Sequence, residues 1–231
     1  MKNKILLLLL LSPFLLKAQD KGIHFEHGIS WADVRAKAKK ENKYIFMDCF
    51  TTWCGPCRYM SANIFPQEVM GNYFNEKFVS IKVQLDTTDA DNEEVKNWYK
   101  DGAEIAKAYS INAYPTFLVF NPDGKAVHRI VGGGEPEEFI SRVQNAFDTD
   151  KQYYTLLDKY NSGNKEPAFF KTMAEAALDG YDLKNAENIA KEYQATQKDL
   201  FTKENLLFMS RFINSSEDEN FKIFIDNREK V

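Results

Sequence analysis

One segment organises this chain: Tyr44-Ile-Phe-Met-Asp-Cys-Phe-Thr-Thr-Trp-Cys-Gly-Pro-Cys57. Its apolar first half predicts a buried strand, and a short turn then delivers two cysteines, Cys54 and Cys57, separated by Gly55-Pro56. If Cys54 opens a helix, its sulfur faces unpaired backbone N–H groups and the positive end of the helix dipole, which lower the thiol pKa. Cys57 then lies one turn further on, close enough to form a disulfide with Cys54. The spacing therefore predicts a redox-active pair.

A C-x-x-C pair also occurs in zinc sites, which need two further ligands. The other candidates by residue type are one cysteine and three histidines: Cys49, His24, His27 and His128. None of them lies in a second C-x-x-C or in an H-x₃-H arrangement. We therefore expect neither a metal nor a cofactor at the cysteine pair.

The pentapeptide Trp53-Cys-Gly-Pro-Cys57, directly after a predicted strand, resembles the active-site motif of the thioredoxin family. The resemblance extends from about Ile29 to Phe147, roughly half of the chain, with the parts in the same order. It implies a thioredoxin-like α/β fold, in which helices flank a central mixed sheet. It also implies that Cys54 attacks a partner's disulfide and that Cys57 resolves the mixed disulfide that forms.

Further positions match the catalytic and binding residues of that family. Asp48 corresponds to a buried carboxylate that moves a proton to or from the second cysteine, and Lys82 corresponds to the lysine that partners it. A charge in the middle of a buried strand is costly, so a functional reason for Asp48 is expected. The segment Tyr114-Pro115-Thr116 resembles the cis-proline segment that faces the disulfide. The residues expected to form the groove for a partner chain are Trp53, Gly55, Pro56, Tyr114, Pro115, Thr116 and Gly132.

The N-terminus predicts an export signal. Lys2 and Lys4 precede an apolar run, Ile5 to Leu16, which ends in a plausible cleavage site at Leu16-Lys17-Ala18. A membrane anchor would need about 20 apolar residues, whereas this run is shorter and contains a proline. We predict a signal peptide over residues 1–18, and an exported protein, periplasmic or secreted, without stable membrane insertion after cleavage.

Composition restricts the partners and the source of stability. The net charge is −4, and loss of the three lysines in the signal would bring it to −7, which disfavours nucleic acid as a partner. Three cysteines leave one, Cys49, outside the redox pair. It follows Asp48 on the same strand, points to the opposite face and is expected to be a small buried side chain. Stability must therefore come from packing and not from structural disulfides.

The chain divides into two predicted domains after the signal. A thioredoxin-like domain is expected over residues 19–148, and an all-α C-terminal region over 149–231, where strand signals mostly vanish. Periodicity there predicts helices over Tyr153–Tyr160, Pro167–Leu178, Leu183–Tyr193, Lys203–Ile213 and Asn220–Asn227. Its role is left open between a packing appendage and a docking surface for a partner.

Within the first domain, we expect a helix from Cys54 to about Ile64 and another over Ala103–Tyr109. Thr87 to Asp101 is a polar, acidic segment of this domain that the simplest family members lack. It resembles the thioredoxin-like domains of bacterial membrane disulfide reductases and related exported proteins. A lid, a partner surface and a plain insertion are all compatible with its composition.

These patterns predict an exported thiol–disulfide oxidoreductase that reduces disulfides in partner proteins. Gly55-Pro56 resembles the dipeptide of reductase members, while an isomerase or oxidase of the same fold stays open. A reductase in an oxidising compartment needs recharging, so a membrane-bound electron donor is implied. The second class of function is a partner-binding module with a vestigial thioredoxin domain. The presence of both cysteines, Asp48 and Pro115 argues against it, because scaffolding requires none of them.

Overall fold

The computed structural model describes residues 21–230, so the predicted signal peptide lies outside the described residues. Within them, the strands are β1 (Phe25–Glu26), β2 (Tyr44–Phe50), β3 (Phe78–Gln84), β4 (Thr116–Phe120) and β5 (Ala126–Val131). They form one sheet in the order β1-β3-β2-β4-β5. The pairs β1–β3 and β2–β3 are parallel, and β2–β4 and β4–β5 are antiparallel. This is the central mixed sheet that the sequence predicts.

Helices lie on both faces of the sheet. They are α1 (Trp31–Glu41), α2 (Gly55–Tyr59), α3 (Glu68–Lys77), α4 (Glu93–Asn97), α5 (Tyr99–Ala108) and α6 (Pro136–Gln144). The alternation of side chains along β2 explains the two layers. Phe46 enters an aromatic core with Phe74, Phe117 and Phe139, while Ile45, Met47 and Cys49 enter a second core on the other face.

Three elements differ from their predictions. β1 is a strand of two residues that the sequence pattern does not mark, and it exists because it pairs with β3. The helix predicted from Cys54 to Ile64 is present, but its second half, Met60–Ile64, is π-helical. The helix predicted over Ala103–Tyr109 begins earlier, at Tyr99, so it includes the end of the polar segment.

The C-terminal region is all-α, as predicted. In the part of it that the structure describes, the helices are α7 (Tyr153–Asn161), α8 (Pro167–Asp179), α9 (Leu183–Ala195), α10 (Lys203–Ser210) and α11 (Glu219–Asp226). Each begins and ends within three residues of its predicted bounds. They enclose an apolar core of their own, which includes Met173, Ala177, Ile189 and Met209.

The two regions meet along β5, the last strand of the sheet. An uncovered edge strand would present unpaired backbone groups to other chains, and here α7 packs against it. Buried His128 of β5 joins the regions, because its Nδ1 accepts a hydrogen bond of 3.1 Å from the Tyr153 backbone N–H. The neutral ring then carries its hydrogen on Nε2, which donates to the Arg142 carbonyl at 3.2 Å. The domain boundary at residue 148 stays a prediction.

No helix among residues 21–230 combines the length and the apolar character that crossing a membrane requires.

Candidate active site

The cysteine pair lies where β2 gives way to α2. Cys54 is the N-cap of α2 with an extended backbone, and Pro56 occupies the first turn. Cys54 and Cys57 form a disulfide whose Cα atoms are 5.3 Å apart. The Cys54 sulfur also accepts a hydrogen bond of 3.1 Å from the Cys57 backbone N–H. In the reduced protein, the same N–H would stabilise a thiolate at Cys54.

The loop before the disulfide is held by a carboxylate at the end of β3. Asp86 accepts hydrogen bonds from the Thr52 backbone N–H, at 2.9 Å and 3.1 Å to its two oxygens, and from the Thr52 hydroxyl. The Cys54 backbone N–H donates to the Thr51 carbonyl at 3.2 Å. These contacts fix the approach of the chain to Cys54.

Asp48 and Lys82 lie opposite each other on neighbouring strands, β2 and β3. The Lys82 Nζ is 3.3 Å from Asp48 Oδ2. The other carboxylate oxygen, Oδ1, is buried and has no hydrogen-bond partner among the described residues. Burial raises the pKa of Asp48 to about 6, although the neighbouring Lys82 charge acts in the opposite direction. Asp48 can therefore gain or lose a proton close to neutral pH.

Lys82 connects this buried pair to the helix that carries Cys57. Its ammonium group donates a hydrogen bond to the Ser61 hydroxyl. It also lies 5.1 to 5.4 Å from the ring centres of Phe25, Phe50 and Phe65, within the range of cation–π attraction. Ser61 lines a groove along α2 that Cys57 also lines, and it lines the neighbouring groove that reaches Lys82. Solvent can thus approach the site from the side of Ser61.

The opposite wall of the site is the segment before β4. The peptide bond between Tyr114 and Pro115 is cis. The Tyr114 ring meets the Trp53 ring edge-on, with centroids 5.7 Å apart. Trp53 is 66% exposed, which makes it a surface next to the disulfide that a partner could contact. The Pro115 carbonyl accepts a hydrogen bond of 2.9 Å from the Gly132 N–H.

Two glycines after β5 meet different geometric demands. Gly132 has a φ of +80°, a conformation that residues with a side chain rarely adopt. At Gly133, a Cβ would lie 2.7 Å from the Met60 sulfur, so a side chain there would clash with the helical segment after α2. Gly132 therefore allows the chain to turn, and Gly133 allows it to pass close to Met60 in the segment that follows α2.

Most of the sequence-predicted residues thus meet at the end of β2. Trp53, Gly55 and Pro56 surround the disulfide, and Tyr114, Pro115 and Gly132 form the facing wall. Asp48 and Lys82 lie in the sheet, where Asp48 is buried and Lys82 is partly exposed in the groove beside Ser61. Thr116 is fully buried, and its hydroxyl donates to the Ala113 carbonyl at 2.7 Å, so its side chain supports the turn.

Sequence reasoning did not single out Ser61 and Asp86. Ser61 follows Cys57 by four residues and therefore lies on the same face of the helix, a spacing that could have marked it. Asp86 follows the last residues of β3, where a carboxylate can reach the neighbouring loop. Nothing in the sequence indicates that Thr52 is its partner.

Comparison with known proteins places this geometry in a family. A family model described as a thioredoxin-like domain matches residues 31–147. The H-type thioredoxin of Chlamydomonas reinhardtii is 34% identical over 106 residues, which cover 46% of this chain and 78% of that protein. Chloroplastic thioredoxin Y of Oryza sativa subsp. japonica is 32% identical over 113 residues, 49% of this chain and 56% of that protein.

A solved structure is also similar. The solution structure of a candidate disulphide-isomerase from Bacteroides thetaiotaomicron is 34% identical, with a TM-score of 0.46, over 57% of this chain and 98% of that one. This chain spans only about half the length of rice thioredoxin Y and of thioredoxin-2 from Pyricularia oryzae. The family model covers half of the chain, and its matched region contains the cysteine pair, the paired Asp48 and Lys82, and the cis-proline. The chain therefore belongs to the thioredoxin-like domain family.

Proposed function

We propose that this chain is an exported thiol–disulfide oxidoreductase that reduces disulfides in partner proteins. The observation that carries the proposal is the disulfide of Cys54 and Cys57 at the first turn of α2, with the Cys54 sulfur accepting the Cys57 N–H. That position favours a thiolate at Cys54 once the disulfide is reduced.

The first step uses the reduced form. The Cys54 thiolate attacks one sulfur of a disulfide in the partner, and the partner's S–S bond breaks as the mixed disulfide forms. The partner's other sulfur leaves as a thiolate. The partner chain lies on the surface made by Trp53, Gly55 and Pro56 on one side and by Tyr114, Pro115 and Gly132 on the other.

In the second step Cys57 loses its proton to Asp48, and its thiolate attacks the Cys54 sulfur. The mixed disulfide breaks, the partner's second sulfur leaves, and the Cys54–Cys57 disulfide is restored. The partner gains two electrons in total. Asp48 suits this role because its raised pKa, about 6, lets it accept and return a proton near neutral pH, while Lys82 holds the carboxylate in place.

Each further cycle requires two electrons and two protons from outside the chain. We assign their supply to a membrane-bound donor, because disulfides persist in an oxidising compartment and reducing equivalents must therefore enter it across the membrane. The predicted signal over residues 1–18 supports the export that this role requires.

A trapping experiment tests the roles of the two cysteines. Cys57→Ser leaves Cys54 able to form the mixed disulfide but unable to release it, so covalent complexes that dithiothreitol dissolves should accumulate in the exporting cell. Cys54→Ser is the matched control and should trap nothing. If Cys57→Ser captures no partner while the wild type reduces insulin, the assigned order of attack and resolution is wrong.

The direction of exchange is tested separately by the reduction potential against glutathione. A value on the order of −270 mV supports a reductase, whereas a value on the order of −120 mV would identify an oxidant.

A further inference from the structure

Arg129 of β5 is a buried cation without an acidic partner. It is only 5% exposed, and no ion pair involving it is found in residues 21–230. Its guanidinium donates instead to two backbone carbonyls, Tyr109 at 2.8 Å and Ser110 at 3.5 Å. An apolar side chain would fill the same space without the cost of removing a charge from water. The presence of an arginine here therefore needs an explanation.

The two carbonyls belong to the C-terminal end of α5. Ser110 has a φ of +48°, unfavourable for a residue with a side chain. The Ser110 N–H donates to the Lys107 carbonyl at 3.3 Å, and the Ile111 N–H donates to the Ala106 carbonyl at 2.9 Å, which closes the helix. A cation at this end also matches the negative end of the helix dipole. Arg129 therefore holds in place a turn whose backbone is strained at Ser110.

That turn leads directly to the facing wall of the disulfide. Only residues 111–113 separate Ser110 from Tyr114 and the cis bond to Pro115. A displacement of Ser110 would thus move the Tyr114 ring, which contacts Trp53, relative to the cysteine pair.

The helical C-terminal region reaches the same place through Tyr154 of α7. The Tyr154 ring meets the Tyr109 ring edge-on at 5.6 Å and packs against the cores of both regions. Its hydroxyl and the Nε of Arg129 are both buried, and neither has a hydrogen-bond partner in the described chain. Tyr154 and Arg129 both contact Tyr109, Tyr154 through its ring and Arg129 through the backbone carbonyl.

We propose that Arg129 and Tyr154 are positioning residues, which hold the end of α5 and thereby set the Tyr114–Pro115 wall at the disulfide. The helical region is then part of the oxidoreductase and not an appendage to it. This inference rests on the proposed function, because it assigns to the wall the binding of a partner chain.

The test compares a protein substrate with a small one in the full-length chain. Arg129→Met removes the donors but keeps an apolar side chain of similar length. We expect the KM for insulin to rise about tenfold, the change that ~1.4 kcal/mol of lost binding would give. Reduction of 5,5′-dithiobis(2-nitrobenzoate) should keep its rate, because a small disulfide does not need the wall. Arg129→Lys, which restores one donor, should recover part of the KM.

Tyr154→Leu tests the contribution of the helical region, since it keeps apolar bulk but loses the ring contact with Tyr109. We expect it to raise the KM for insulin as Arg129→Met does. His128→Gln disturbs the same junction at the neighbouring residue of β5 without contacting α5. It should lower stability in urea and leave the KM unchanged.

The outcomes separate the possible failures. An unchanged KM in Arg129→Met, or a KM that rises equally in His128→Gln, would mean a purely structural contact and would overturn the inference. An unchanged KM in Tyr154→Leu alone would show that the helical region does not help to position the wall. Failure of the wild type to reduce either disulfide would instead refute the proposed function itself.

Discussion

At the scale of single residues, Asp48 occupies a position that costs the fold free energy. Its carboxylate is almost fully buried, and only one of its two oxygens is paired. The folded protein therefore holds the proton of Asp48 up to a pH of about 6, whereas the unfolded chain releases it near 3.8. Such a penalty is typical of a group kept for chemistry and not for stability.

The first prediction follows from that difference in pKa. Below pH 3.8 the Asp48 carboxyl is protonated in both the folded and the unfolded state, and burying it brings no charge penalty. Above pH 6 it is ionised in both states, and stability is lowered by the full cost of burying the charge. Asp48→Asn should therefore stabilise the protein at pH 8 by about 1–3 kcal/mol and not at pH 3.5. Release of the mixed disulfide should slow on the order of 10- to 100-fold at pH 7. Urea unfolding and single-turnover kinetics measure the two effects.

The control for this prediction is Asp123→Asn, which alters an exposed carboxylate in the turn between β4 and β5. It should change neither the kinetics nor the dependence of stability on pH. If Asp48→Asn proved less stable than the wild type at pH 8, the pairing with Lys82 would outweigh the burial of the charge.

The placement of single residues can be predicted from the sequence where a motif fixes the neighbours. Asp48 and the cysteine pair follow from one continuous segment, and the register of two strands brings Lys82 opposite Asp48. Arg129 could not be found in this way. Its partners, Tyr109 and Ser110, are about twenty residues away on another element, and only the folded packing brings them together.

At the scale of elements, the acidic segment after β3 is a fixed structure and not a loose loop. Asp91 accepts hydrogen bonds from the Thr88 hydroxyl at 2.6 Å, the Tyr99 hydroxyl at 2.6 Å, the Gln84 amide at 3.0 Å and the Thr88 backbone N–H at 2.9 Å. These donors hold the pKa of Asp91 well below its usual range. The Trp98 indole donates to the Ile29 carbonyl at 3.0 Å. The segment is therefore tied to the domain at several points.

The second prediction concerns this network. Asp91→Ala removes the acceptor that four donors share, so the amides of residues 87–98 should exchange hydrogen faster than in the wild type. Asp89→Ala is the matched control, since it removes an exposed carboxylate from the same segment. Hydrogen exchange followed by mass spectrometry distinguishes them. Equal exchange in both variants would show that the segment is held by Trp98 and not by Asp91.

Elements were predictable where local signals mark their ends. Pro167 begins α8, and Asp179-Gly180 ends it, and both are visible in the sequence. β1 has no such signal, because two residues become a strand only through pairing with Ser80 and Ile81. The sequence does not predict α4 in the polar segment either. Its N-cap Asn92 is a signal for the start of a helix, but five residues are too few to show helical periodicity.

At the scale of the whole molecule, the junction between sheet and helical region contains a titratable group. His128 is buried, and both of its ring nitrogens are engaged, one with α6 and one with α7. Protonation would turn Nδ1 into a donor facing the Tyr153 N–H, so the contact between the regions requires the neutral ring. Burial accordingly lowers the pKa of His128 to about 4.

The last prediction gives this junction a pH dependence. Above pH 6.5 His128 is neutral in both the folded and the unfolded state. Between pH 6.5 and about 4 only the unfolded chain takes up the proton, so stability decreases as the pH is lowered, by ~1.4 kcal/mol per pH unit and about 3 kcal/mol in all. His128→Gln should lose this dependence, and subtracting its urea-unfolding curves from those of the wild type removes the opposite contribution of Asp48. His27→Gln, an exposed site, should keep it. A wild type that loses no stability relative to His128→Gln on acidification would mean that the junction accepts a charged imidazole.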